Sequence, residues 1–117
     1  MYLTFNPSTP NRSVSTIMSI TSTTNARRPA FILNPTSGSG RAATSWAALE
    51  NRVTERFGQR GVGWELYLTQ RPGHASELAL QAIEDGWTVV VSIGGDGTHN
   101  EVVNGYLQAD GRKVSLA

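Results

Sequence analysis

The stretch that most constrains this chain runs from Trp87 to Gly97. An unbroken apolar run centred on Val89-Val90-Val91 passes through Ser92 and Ile93 directly into Gly94-Gly95-Asp96-Gly97. Such a run predicts a strand buried on both faces, and so one placed centrally in its sheet. A strand covered twice needs helices on both sides of the sheet, and the rest of the chain has to supply them.

The preceding residues do so by alternation. Ala30-Phe31-Ile32-Leu33 reads as a short buried strand ending at Asn34-Pro35. A loop of Pro-Thr-Ser-Gly-Ser-Gly-Arg follows over residues 35 to 41, and from Ala42 a helical period takes over. Trp46, Leu49, Val53 and Phe57 then fall on one face before Gly58 and Gly61 stop the helix. Trp64 to Thr69 predicts a second strand. Gly73-His74-Ala75 opens a second helix, with Ala75, Leu78, Ala79, Ala82 and Ile83 on one face until Gly86. After the central strand and its glycine loop, a third helix carries Val102, Val103, Tyr106 and Leu107. Asp110-Gly111 reads as a turn toward a fourth strand beginning at Lys113. The expected fold class is α/β, a three-layer α/β/α sandwich on a parallel sheet with right-handed crossovers. In such sheets ligands bind at the carboxyl ends of the strands. The loops at Asn34 to Gly40, Thr69 to His74 and Gly94 to Asn100 would share that edge.

The first 28 residues differ. Between Thr4 and Thr24 lie eleven Ser or Thr residues, and the first acidic residue of the chain is Glu50. With no sustained apolar period, residues 1 to 28 are expected to be a disordered tail, and residues 29 to 117 to form one domain. The Ser-rich, acid-poor leader also fits a transit peptide, although it shows no amphipathic stretch, and Met18 could be the true start. A length of 117 residues accommodates one small domain and not a two-domain enzyme. The formal charge of +1 gives no electrostatic case for nucleic acid. Cysteine is absent, which excludes disulfides and thiolate chemistry. No stretch reaches the roughly 20 apolar residues of a membrane span, so a soluble, cytoplasmic protein is expected. Peripheral membrane contact and self-association remain open.

Chemistry should concentrate in the loops. Gly94, Gly95 and Gly97 permit close backbone approach to an anion, and the helix that follows adds unpaired N–H groups and a partial positive charge. Thr98 and Glu101 could form a capping box on that helix or contact a ligand. Asp96 stands where phosphates would repel a carboxylate unless Mg²⁺ or a proton to be abstracted accounts for it, the alternative being an aspartate bonded within its own turn. Two isolated imidazoles, His74 and His99, do not make a zinc site, and no metal-ligand set is assigned. His74 reads first as a helix-start residue, with nucleotide contact as the alternative.

Three segments together resemble the diacylglycerol kinase catalytic-domain family, which includes diacylglycerol, sphingosine and ceramide kinases and bacterial lipid kinases. They are Ile32-Leu33-Asn34-Pro35-Thr36-Ser37-Gly38-Ser39-Gly40, then Thr69 with Gly73-His74-Ala75, then Val91 through Gly105, which includes Gly94-Gly95-Asp96-Gly97-Thr98-His99-Asn100-Glu101. The Gly-Gly-Asp-Gly-Thr run is shared with NAD kinases, whereas Asn-Pro-x-Ser-Gly and Asn-Glu-Val-Val-Asn-Gly point to the lipid kinases. The resemblance implies ATP and Mg²⁺ as cofactors and a lipid hydroxyl as acceptor. It implies nucleotide contact at Asn34, Pro35, Thr36, Thr69, Gly73, His74, Gly94, Gly95, Asp96, Gly97, Thr98, His99 and Asn100. Asp96 would be catalytic, as proton acceptor or as the residue linked to Mg²⁺. It also implies that the chain stops short of a Gly-Thr-x-Asn-Asp segment and a second, lipid-binding domain, leaving these residues inactive alone. An NAD kinase-like enzyme and a stand-alone nucleotide-binding module are the rival readings.

Overall fold

The computed structural model describes residues 2–6, 17–21 and 28–113 of the chain. In chain order the elements are strands β1 (Tyr2–Asn6), β2 (Ile17–Thr21) and β3 (Pro29–Leu33), helix α1 (Arg41–Phe57), strand β4 (Glu65–Leu68), helix α2 (His74–Glu84), strand β5 (Val89–Ile93) and helix α3 (Asp96–Lys113). They build a five-stranded sheet in the order β1-β2-β5-β3-β4. β3 pairs in parallel with both β4 and β5, while β2 pairs antiparallel with β5 and β1 antiparallel with β2. β5 is thus the middle strand, and every residue of it is buried, as its unbroken apolar run requires.

Alternation along the strands separates two cores. Phe31, Leu33, Val89, Val91 and Ile93 face one way and pack with Ala42, Trp46 and Val53 of α1 and with Trp64. Ile32 and Val90 face the other way and pack with Ala75 and Ala79 of α2 and Val102 and Tyr106 of α3. Helices therefore cover both faces, giving the three-layer α/β/α arrangement. Trp46, Trp64 and Phe31 form an aromatic cluster on the α1 side, with Phe31 and Trp64 edge to face at 5.9 Å between centroids. The Trp64 indole N–H donates to the Gly58 carbonyl at 2.8 Å, which satisfies its polar atom inside the core.

On the opposite face α2 and α3 approach closely because Gly105 has no side chain. A Cβ there would collide with the Ser76 carbonyl oxygen and stand 3.0 Å from Ala79 Cβ. The Ser76 hydroxyl adds a bond of 2.8 Å to the Glu101 carbonyl.

Three expectations from the sequence differ from this structure. Residues 2–6 and 17–21 of the expected disordered tail are strands. Composition argued against order there, but β5 offers an unpaired edge, and Ile17-Met18-Ser19-Ile20-Thr21, with β-branched Ile17, Ile20 and Thr21, is a suitable neighbour for it. Residues 7–16 and 22–27 lie outside the described residues. The expected turn at Asp110-Gly111 is the last turn of α3 instead, since one glycine costs a helix only about 1 kcal/mol and does not end it. The fourth strand expected from Lys113 begins within that helix, and residues 114–117 lie outside the described residues. Finally, α3 begins at Asp96, so Asp96 and Gly97 are helical and the glycine loop is shorter than its composition suggests.

Candidate functional site

The register of the parallel strands fixes the site. Leu33 stands opposite both Leu68 and Ile93, so the three chains leave the sheet side by side. Backbone pairing runs one residue further: Asn34 N–H donates to the Ile93 carbonyl and Thr69 N–H to the Leu33 carbonyl, each at 2.9 Å. All three loops predicted from the sequence therefore open on one edge.

The first loop curls tightly after Asn34, with Ser37 N–H donating to the Asn34 carbonyl at 3.1 Å. Gly38, Ser39 and Gly40 all take positive φ (63°, 58° and 90°), a left-handed run that suits glycine at both ends. The second loop is held from within. Gln70 N–H donates to His74 Nδ1 at 2.9 Å, which makes that nitrogen the acceptor and leaves the proton on Nε2. Arg71 lies across Glu77 with two bonds of 2.9 and 2.8 Å, and this guanidinium holds the exposed Glu77 carboxyl below the usual carboxylate range. Glu101 of α3 accepts from Gly73 N–H at 3.2 Å, tying α3 to the residue just before α2. The third loop is only Gly94 and Gly95, after which His99 N–H donates to the Gly95 carbonyl at 3.0 Å within the first turn of α3.

These loops enclose a cleft of about 600 Å³. Of the residues singled out in the sequence, Asn34, Thr36, Thr69, Gly95, Gly97 and Thr98 line it together. Glu101, offered in the sequence as a capping or ligand-contact residue, lines it too, and Ser37, Gln70, Arg71 and Pro72 line it without having been among them. Ser37 lay inside a recognised loop. Arg71 carried the one available signal, a cation within a loop already suspected of binding an anion.

The remaining predicted residues take other places. Pro35 sits in the turn of the first loop, partly buried, and Gly73 and His74 stand at the start of α2. Gly94 is buried against Thr98, where an added Cβ would lie 2.7 Å from the hydroxyl oxygen. His99 turns inward, 5 % exposed, with Nδ1 at 2.8 Å from the hydroxyl of the fully buried Ser92. Asn100 is exposed on α3. The capping box is not formed: Thr98 is the third residue of the helix, its hydroxyl accepts from Asn34, and the Glu101 carboxylate serves Gly73. Asp96, exposed in the first turn of α3, accepts no hydrogen bond from the described residues. It does not brace a turn. Its negative charge at the helix start is favoured by the exposed N–H groups there.

Two features suit this edge to a phosphorylated ligand. The start of an 18-residue helix borders the cleft at Gly97 and Thr98, beside Gly95, and the first N–H groups of a helix have no partner within it. Nothing lies within 4 Å of a Cβ built on Gly97, so a ligand can reach the backbone there. For a metal the residues offer less. Among the described residues no group of three or more His, Cys, Asp or Glu is gathered as a ligand cage. That donor set still fits Mg²⁺, which commonly takes one or two carboxylates and completes its shell with phosphate oxygens and water.

An α/β/α domain with three loops at the carboxyl ends of three parallel strands defines the class. Residues 28–117 match the family model described as the diacylglycerol kinase catalytic domain, and the chain belongs to that family. Similar proteins include sphingoid long-chain bases kinase 1 of Arabidopsis thaliana, 38% identical over 90 residues, 74% of this chain and 11% of that protein. Human sphingosine kinase 2 is 34% identical over 77 residues, 66% of this chain and 11% of that protein. A diacylglycerol kinase of Bacillus subtilis (strain 168) is 35% identical over 86 residues, 74% of this chain and 27% of that protein. The chain thus spans between about a tenth and just over a quarter of these relatives' length. Among the described residues no helix is long and apolar enough to cross a membrane.

Proposed function

We propose that this chain is the ATP-binding part of a lipid kinase, which transfers the γ-phosphate of ATP to a lipid hydroxyl of the diacylglycerol or sphingoid-base type. The observation that carries the reading is the open backbone at Gly97, at the start of α3 and facing the cleft shared with Thr36 and Thr69. Phosphate oxygens would accept from the first N–H groups of α3, and the partial positive charge of the helix would offset theirs. The Thr36 and Thr69 hydroxyls, on the neighbouring loops, would orient the nucleotide. Mg²⁺, when bound with ATP, supplies charge neutralisation, and Asp96 is the residue of this chain that would hold it or accept the proton of the lipid hydroxyl.

Phosphoryl transfer depends chiefly on in-line positioning and charge stabilisation. The domain reading assigns nucleotide positioning to residues 29–117 and leaves lipid positioning to protein beyond them. Such an enzyme works in the cytoplasm and meets its lipid peripherally at a membrane surface. Calorimetry of the 117-residue chain with ATP, with and without Mg²⁺, tests the reading directly. Weak binding that is strengthened by Mg²⁺ is expected. Absence of ATP binding at millimolar concentrations would overturn it.

A further inference from the structure

Asn34 and Thr98, both lining the cleft, join the first loop to the first turn of α3. The Asn34 side-chain amide donates to Thr98 Oγ1 at 3.1 Å, while its carbonyl oxygen accepts from the Thr36 hydroxyl at 3.2 Å. Both ends of the carboxamide are therefore engaged within the protein. Thr98 is 6 % exposed and packs over Gly94, where any Cβ would come within 2.7 Å of its hydroxyl oxygen. Beside this contact a Cβ on Gly95 would lie only 3.2 Å from the Ser37 hydroxyl oxygen, so the two loops touch here at van der Waals range.

We infer that Asn34 and Thr98 form a clasp that fixes the spacing between the Thr36–Ser37 turn and the first turn of α3. They are positioning residues, acting on bound phosphates through the backbone groups they hold in place and not as ligands themselves. Oriented N–H donors serve an anion only when held within about 0.5 Å of the productive geometry, and this is the side-chain bond that links the two loops carrying them. The inference rests on the nucleotide reading.

The test is an NMR titration of the 117-residue chain and its Thr98→Val, Thr98→Ser, Asn34→Ala and Asn34→Ala/Thr98→Val variants with ATP and with adenosine, alongside their melting temperatures. Valine keeps the shape of threonine and removes the hydroxyl. Thr98→Val should weaken ATP binding about tenfold, the loss of one hydrogen bond's worth of organisation, and adenosine binding less than twofold. Thr98→Ser should bind ATP within twofold of wild type. The double variant should be no weaker than Asn34→Ala by more than about twofold, because breaking either partner already opens the clasp. Equal losses for ATP and adenosine would make the pair merely structural, and fully additive losses would make each residue an independent ligand. Unchanged ATP affinity in Thr98→Val would overturn the clasp while leaving nucleotide binding intact. A wild-type chain that binds neither ligand would overturn the nucleotide reading and the clasp with it.

Discussion

Asp96 is the side chain on which the chemistry turns. It is exposed at the start of α3, beside two cleft-lining glycines, and takes no hydrogen bond from the described residues. Substituting Asn keeps the size and removes the charge. In a chain that includes the lipid-binding part, Asp96→Asn should lower the lipid phosphorylation rate at least a hundredfold, the scale of a lost positioned acid-base group, and shift the melting temperature little. Near-normal turnover would return Asp96 to a helix-start role. Other residues show where sequence reading reaches its limit. His99 adjoins the glycine motif, yet residue identity cannot reveal that α3 starts at Asp96, and that start turns the imidazole toward the core and Ser92. Arg71, from the loop before α2, and Glu101 of α3 line one cleft, and that meeting of two distant chain segments is a long-range fact absent from local spacing.

At the scale of elements, β3, α1, β4, α2 and β5 were legible because apolar period and glycine boundaries agreed in each. The ends of α3 were not, since Gly97 and Gly111 read as breaks while the packing of Val102 and Tyr106 holds the helix together. Gly105 gives a test with opposed contributions. In an isolated helix Gly→Ala gains up to about 1 kcal/mol, but here the methyl would meet the Ser76 carbonyl, and overpacking costs about 1–3 kcal/mol. Gly105→Ala should therefore destabilise, seen as a lower melting temperature, and a stabilised variant would contradict the close α2–α3 crossing. A second test concerns Tyr67 on β4, whose hydroxyl donates to Asp85 just past α2 at 2.7 Å. Burial first, then Asp85, pushes the phenol well above its ordinary range. A raised folded pKa contributes stability that is complete below the unfolded value near pH 10 and fades above it. Denaturant titrations should show wild type losing stability above about pH 10 more steeply than Tyr67→Phe.

For the whole molecule, the division of labour makes a plain forecast. Incubated with ATP, Mg²⁺ and diacylglycerol or sphingosine in detergent micelles, the 117-residue chain should bind nucleotide weakly and form no lipid phosphate. Unpositioned acceptors forfeit on the order of 7 to 11 kcal/mol of barrier reduction. Robust product formation would show a complete active site in these residues. Removing residues 1–27 should leave ATP affinity within about twofold, since none of the described residues among them lines the cleft, and a twofold change is well below the 1.4 kcal/mol of a tenfold one. It should also bare the outer edge of β5 and increase self-association in sedimentation velocity, because unpaired strand edges recruit neighbours.

The place of β2 has a consequence for what can follow α3. α3 returns over the same sheet face as α2, and α2 carries the chain past β3 to β5. A right-handed connection through α3 would advance one position in that same direction, to the side of β5 where Ile17–Thr21 runs antiparallel. That side of β5 has hydrogen-bonding capacity for a single neighbour. An incoming parallel strand and β2 are therefore mutually exclusive tenants, and Ile17–Thr21 must yield their berth before a parallel strand can join β5 on that side.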